Sequence, residues 1–187
     1  MNLLPTYAAE GRIVRNKWSA VRVSDGSELL CIYTAIAGDP KARPESCPAN
    51  LIPTWLAHVL PACDDNGSEA AWPGMVARWA AVSDRLHLLV GERGDRLRSR
   101  WLARVLRGLP ETPDRDGVLV LLDRHGAGGE VTRAAWRAAA GAEWAWWAEA
   151  ATRAAGAAAR AEAEAAAEAW DRMTSDLLDE IEAEVAR

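Results

Sequence analysis

The alanine-saturated stretch that ends the chain sets the hardest limit on its fold. From Thr132 to Arg187 there are 56 residues dominated by alanine, the best helix former. As one unbroken helix they would run about 84 Å at ~1.5 Å per residue. A compact domain of this length is only very roughly 42 Å across. The helix must therefore break, with Gly141 and Gly156 the natural places, or project and pack on a second copy as a homodimer. From Ala148 to Ala169 no large apolar side chain occurs, so each turn buries little area. The last turns recover a conventional seam in Trp170, Met173, Leu177, Ile181 and Val185.

Composition removes several classes. Half of the 187 residues are apolar and 26% are charged, the balance of a globular chain. No apolar run approaches the ~20 residues of a membrane-spanning helix. The first residues lack the basic start and apolar core of a secretory signal. Cys31, Cys47 and Cys63 are too few and too odd in number for a disulfide framework, which points to a reducing cytoplasm. Zinc ligands come in close pairs that are absent here. Cys47, His58 and Cys63 are the one conceivable trio, and buried or idle thiols are the simpler reading, so neither metal nor cofactor is expected.

Local signals divide the chain into an α-rich head over 1–110 and an Ala-rich helical region over 111–187. The expected fold is mainly α, a bundle-like head with a small N-terminal β-hairpin and a long C-terminal helix or helical hairpin. Period-two alternation over 12–24 and the Asp25-Gly26 dipeptide mark the hairpin. Leu29, Leu30, Tyr33, Ile36 and Ala37 then fit a helix capped by Ser27 and ended by Gly38, although a strand over 29–36 competes. Residues 39–50 read as a proline-rich loop. Asn50 is placed to cap a helix with Pro53 in its first turn and Pro61 ending or kinking it. Pro73 opens the next helix, whose face is Met75, Val76, Trp79, Val82, Ser83 and Leu86. Asp95 caps another, with Leu97, Trp101, Leu102, Val105 and Leu106 inward and Gly108 and Pro110 stopping it. The run at 118–122 suits either a buried strand before a glycine-rich loop or a short helix ended by Gly126.

The net charge of −5 is unevenly spread: residues 1–122 carry 15 basic and 14 acidic side chains, residues 123–187 carry 7 and 13. Arg93, Arg96, Arg98, Arg100, Arg104 and Arg107 form the densest cationic window, opposed within it only by Asp95. Such a window suits an anionic partner, nucleic acid or acidic protein, and it also suits a plain solvated face. Trp55, Trp79 and Trp101 fall on apolar faces and read as core. Trp144 and Trp146 lie about 200° apart on a helix, so Trp146 is the candidate for an exposed partner-binding aromatic.

The remaining motifs favour plain structural roles. Arg124-His125-Gly126 is similar to the opening of histidine phosphatases, but no second histidine follows, and a helix end explains it. Gly126–Gly129 lacks the Lys-Ser/Thr of a phosphate-binding loop and reads as an interhelical turn. Asp64, Asn66 and Ser68 mimic half a calcium loop, yet Glu69 stands where glycine is needed, and a helix-capping loop fits better. No nucleophile elbow, HExxH or spaced acid pair occurs, so no enzyme is expected.

The block CPANLIPTWLAHVLPACDDNGSEAAWPGMVARWAAV over 47–82 resembles small uncharacterised proteins of bacteriophages and prophages. The shared pattern is C-P-A, then P-x-W-L, then G-S-E-x-x-W-P with R-[WY]-A, and their tails likewise run into a helix ending like RMTSDLLDEIEAEV. The resemblance implies helix over 116–124 and a phage accessory protein in the host cytoplasm, with no implied catalytic residue. The expectation is a non-enzymatic binder of a host protein or nucleoprotein complex, blocking a defence system as anti-CRISPR proteins do. The alternative is a nucleic-acid-binding accessory protein that uses the Arg-rich helix.

Overall fold

A computed structural model describes residues 1–46, 50–108, 113–135 and 163–187. The fold is mainly helical with one small antiparallel sheet. In order come α1 (Leu4–Ala9), β1 (Ser19–Val21), β2 (Glu28–Leu30), α2 (Ile32–Ala37), α3 (Thr54–Asn66), α4 (Trp72–Val82), α5 (Glu92–Arg107), α6 (Pro113–Gly126) and α7 (Ala163–Val185), with 3₁₀ turns at Pro44–Ser46 and Ser83–Leu89. They form two compact units, Met1–Gly91 with Ala167–Arg187, and Glu92–Ala166. The compositional boundary at 110 falls inside the second unit, between α5 and α6.

In the first unit, β1 and β2 pair with Ser19 opposite Leu30 and Val21 opposite Glu28. Their turn works as its residues require. The Asp25 carboxylate accepts the Ser27 N–H at 2.9 Å and hydroxyl at 2.7 Å, and Gly26 takes a left-handed φ of 72°. Ser27 is therefore a turn residue, not a helix cap. The ambiguous stretch after it is both things in succession, strand to Leu30 and helix from Ile32. Cys31 makes the switch: extended itself, it accepts the Thr34 N–H on Sγ at 3.4 Å. Gly38, at φ 68°, ends α2 as expected.

Two helix boundaries differ from the sequence signals. α3 begins at Thr54, with Pro53 just ahead of it, and runs through Pro61 to Asn66; Asn50 lies in a turn outside it. A proline costs its own N–H bond and a clash, but Leu56, Ala57, Leu60 and Cys63 are all buried around it, and packing overrides the local penalty. α5 starts at Glu92, which puts Asp95 inside its first turn rather than at the cap.

The apolar face read over 75–86 is buried in full, with Trp79 at its centre. Against the same core lies the C-terminal seam: Leu177, Leu178, Ile181 and Val185 are buried. Arg78 on α4 fastens it, donating to Glu182 at 2.8 Å, Ser175 at 3.1 Å and Asp179 at 2.6 Å. Asp171 Oδ1 accepts the Ser68 N–H at 2.9 Å. The seam thus packs within its own chain. At the other end Asn2 donates to Ser83 at 2.8 Å and Asp84 at 2.6 Å, tying the start of the chain to the end of α4.

Candidate functional site

The second unit is built on α5 and α6. Successive residues of α5 rotate by ~100°, so Arg93, Arg96, Arg100, Arg104 and Arg107 share an arc of ~80° and form a stripe ~21 Å long. Arg98 falls on the opposite side and is exposed. The stripe runs between two buried rows: Leu97 with Trp101, and Ser99 with Ala103 and Leu106. α6 and the turn after it lie along part of this arc: Arg100 and Arg107 bond to Gly126 and Asp123, and Arg96 passes close to Gly128.

These cations are partly spoken for. Arg107 Nη2 reaches both oxygens of Asp123 on α6 at 2.6 Å, and Arg100 Nη1 donates to the Gly126 carbonyl at 3.4 Å. Arg96 pairs with Glu92 one turn earlier at 3.2 Å. The Arg107–Asp123 pair is half exposed on both sides, which makes it weak and exchangeable for an external anion. Arg104 is exposed and Arg93 half-buried. Arg104 and Arg107 also sit at the C-terminal turn of α5, where the helix dipole favours positive charge.

α6 approaches α5 closely because Gly126 has no side chain: a Cβ there would come 2.8 Å from Arg100 Cγ. Residues 113–126 are helical, so the strand reading of 118–122 is set aside. The glycine run that follows closes the helix. Gly129 N–H donates to the Arg124 carbonyl at 2.8 Å, Gly128 N–H to that of His125 at 2.9 Å, and Gly128 adopts φ 86°. Those two amides are consumed by the cap and do not cradle a phosphate. His125 sits at the helix end, its Nδ1 2.8 Å from the buried Ser99 Oγ, an α5–α6 tie rather than a strand-delivered nucleophile. A cleft of ≈ 290 Å³ lies beside it, with Arg96, Glu92, Glu130 and Gly128 on its walls.

Other sequence candidates fall elsewhere. Trp146 and Cys47 lie outside the described residues. Cys63 is buried and His58 exposed, and no metal-binding cluster occurs among the described residues. Trp79 and Trp101 are core; Trp55 is half-buried. Ser68 does cap the turn before α4, its Oγ accepting the Ala71 N–H at 3.1 Å.

One residue was missed. Asp64, taken as part of a loop pattern, is inside α3 and only 1% exposed. Its Oδ2 accepts the Ile32 N–H at 3.3 Å, while Oδ1 has no partner among the described residues. Burial, and then the neighbouring Asp65 charge, pushes its carboxyl up to about 8. Burial likewise raises the Cys63 thiol to about 11 and raises Cys31. The signal was present in the spacing: Ala57, Leu60 and Asp64 fall in helical phase on the inward stripe.

No family model, curated protein or solved structure matches the chain. Among the described residues no helix is long and apolar enough to cross a membrane.

Proposed function

We propose that the protein is a non-enzymatic accessory protein that binds a host protein or nucleoprotein complex through the arginine face of α5. The observation that carries this reading is the stripe itself, five arginines within one arc, flanked by buried rows that keep it in register. Arginine presents a rigid fork suited to carboxylates and phosphates, and Arg is enriched where protein interfaces concentrate their binding energy. The resemblance of 47–82 to bacteriophage and prophage proteins supplies the setting: the host cytoplasm, and inhibition of a bacterial defence complex in the manner of anti-CRISPR proteins. Trp146 belongs to the same proposal as a second contact.

A nucleic-acid partner is the second reading, favoured by the purely Arg character of the stripe. The two differ in salt response. Binding to nucleic acid through several phosphates falls steeply and linearly on a log–log salt plot, and single-sequence specificity is lost. A gel shift across 50–200 mM salt, set beside affinity capture from host lysate, separates them. Capture of one defined protein complex that survives nuclease treatment, and that Arg104→Glu with Arg107→Glu abolishes, supports the first reading. A steep salt slope with any duplex supports the second. Loss of neither interaction in that variant removes the arginine face from both.

A further inference from the structure

The first unit holds a small cavity of ≈ 140 Å³ whose walls include Asn16, Lys17, Trp18, Cys31, Asp64 and Asp65. We propose that this cavity receives one alkylammonium or alkylguanidinium group, held by the Asp64 carboxylate.

Four observations converge on that chemistry. Asp64 is 1% exposed and its Oδ1 has no hydrogen-bond partner among the described residues. A bare acceptor at that depth is expensive, and a donor reaching it restores the missing bond. The field there is negative, because Asp65 is the next residue and lines the same cavity. The guanidinium whose charge acts on Asp64 is occupied with other acceptors: Arg15 donates to the main-chain carbonyls of Asp64 at 2.8 Å and Gly67 at 2.6 Å and to Glu69 at 3.1 Å, stacked 5.0 Å over Trp72. Finally, the wall is pinned in an uncommon conformation. Asn16 has φ 58°, and its N–H is bound to Asp65 Oδ1 at 2.6 Å.

Size and lining limit the ligand. The volume is well below the ~300 Å³ at which drug-sized molecules bind, which excludes a nucleotide or an aromatic cofactor and admits a charged head on a short alkyl stem. Trp18 and Pro61 offer apolar wall for that stem. The face of Trp18 is not offered to the cation itself, since it already carries the Arg43 guanidinium 4.7 Å from its ring centre. Lys17, exposed on the cavity wall, repels a cation and so tempers affinity.

The titration of the site follows. At neutral pH Asp64 holds a proton, since burial and Asp65 outweigh the Ile32 N–H and the Arg15 charge. Cys31 and Cys63 beside it are neutral thiols. An incoming cation favours the carboxylate, so the Asp64 proton leaves to solvent as the ion pair forms. The same head can come from a free amine or from a Lys or Arg side chain of a partner protein.

Titration calorimetry on the full chain at pH 7 tests this, with n-butylamine, N-methylguanidine and a Gly-Lys-Gly peptide as probes. Repeating it in two buffers of different ionisation heat counts protons. One cation per chain with release of up to one proton is expected, weakened at least tenfold by Asp64→Asn and tightened severalfold by Lys17→Ala. Binding of the amines alone identifies a small free ligand; binding of the peptide alone identifies a partner side chain. Absence of binding by all three, or equal binding to Asp64→Asn, overturns the proposal. Should Asp64→Asn fail to fold, the Asp64 carboxyl ¹³C shift decides on the native chain: it must titrate to a lower midpoint when n-butylamine is present. The arginine face plays no part, so either reading can fail without the other.

Discussion

The two units hold themselves together differently. In Met1–Gly91 with Ala167–Arg187, large aliphatic side chains from α1, α2, α3, α4 and α7 are fully buried, and polar ties such as Arg78 to α7 decorate a core that already exists. In Glu92–Ala166, the α5–α6 pair is joined by a close glycine approach and by polar links, Ser99–His125, Arg100–Gly126 and Arg107–Asp123. The lesson is that the same residue type does opposite jobs: an arginine clamps the seam in one unit and offers displaceable charge in the other.

The largest effect should come from removing the seam. Truncation after Arg172 deletes Leu177, Leu178, Ile181 and Val185, each buried. At roughly 2 kcal/mol per buried side chain the loss is about 8 kcal/mol, comparable with the whole stability of a domain this size. The first unit should fail to fold, read as loss of its cooperative melt and of near-ultraviolet signal. An unchanged melt would show that the core of that unit closes without α7.

Asp64 comes next, and its effect has a sign. Folding raises its carboxyl from the ordinary ~3.9 to about 8, so between those values the folded chain holds a proton that the unfolded chain has lost. The associated stability is complete below pH ~4, declines as pH rises, and is gone above pH 8. Asp64→Asn cannot ionise. After allowing for the unmet amide donors it introduces, the variant should be more stable than the native chain at pH 8 by on the order of 3 kcal/mol. Denaturant melts from pH 4 to 9 should show a falling native curve and a flat variant. Parallel curves would mean that Asp64 is ionised in the fold and paired.

Arg78→Met follows at about 1 kcal/mol, because its three partners on α7 are half exposed and its stem packing is kept. A loss as large as the truncation's would make the clamp, not the apolar seam, the anchor of α7.

How much of this was legible depends on whether one period competed with another. The 75–86 face and the Asp25-Gly26 turn each present a single pattern and stand as read, while of the terminal seam Leu177, Ile181 and Val185 are buried, Trp170 and Met173 are half-buried, and Leu178 joins the core. Leu29 and Tyr33 satisfy both periods, so the strand-to-helix switch at Cys31, which caps α2, is hidden in the pattern. Pro61 and Pro53 signalled boundaries that tertiary burial moved. Asp64 was misplaced because its acidic neighbours looked like a loop, although its phase with Leu60 was helical. The arginine window was visible as composition, while which of its side chains meet α6 depends on where α6 crosses α5.

The smallest expected change in stability sharpens that last point. Arg104 and Arg107 are both exposed in the last turn of α5, and exposed charges and half-exposed ion pairs shift stability by less than about 1 kcal/mol. Arg104→Glu with Arg107→Glu should therefore melt almost as the native protein does, while capture of an anionic partner falls at least tenfold. Arg100→Glu makes the contrast: it loses the bond to the Gly126 carbonyl and sets a carboxylate against that oxygen, so it should loosen α6 and speed amide exchange over 118–126. If the exposed pair destabilises as much as Arg100→Glu does, the whole stripe is structural, and the distinction between clamping and displaceable arginine in this unit disappears.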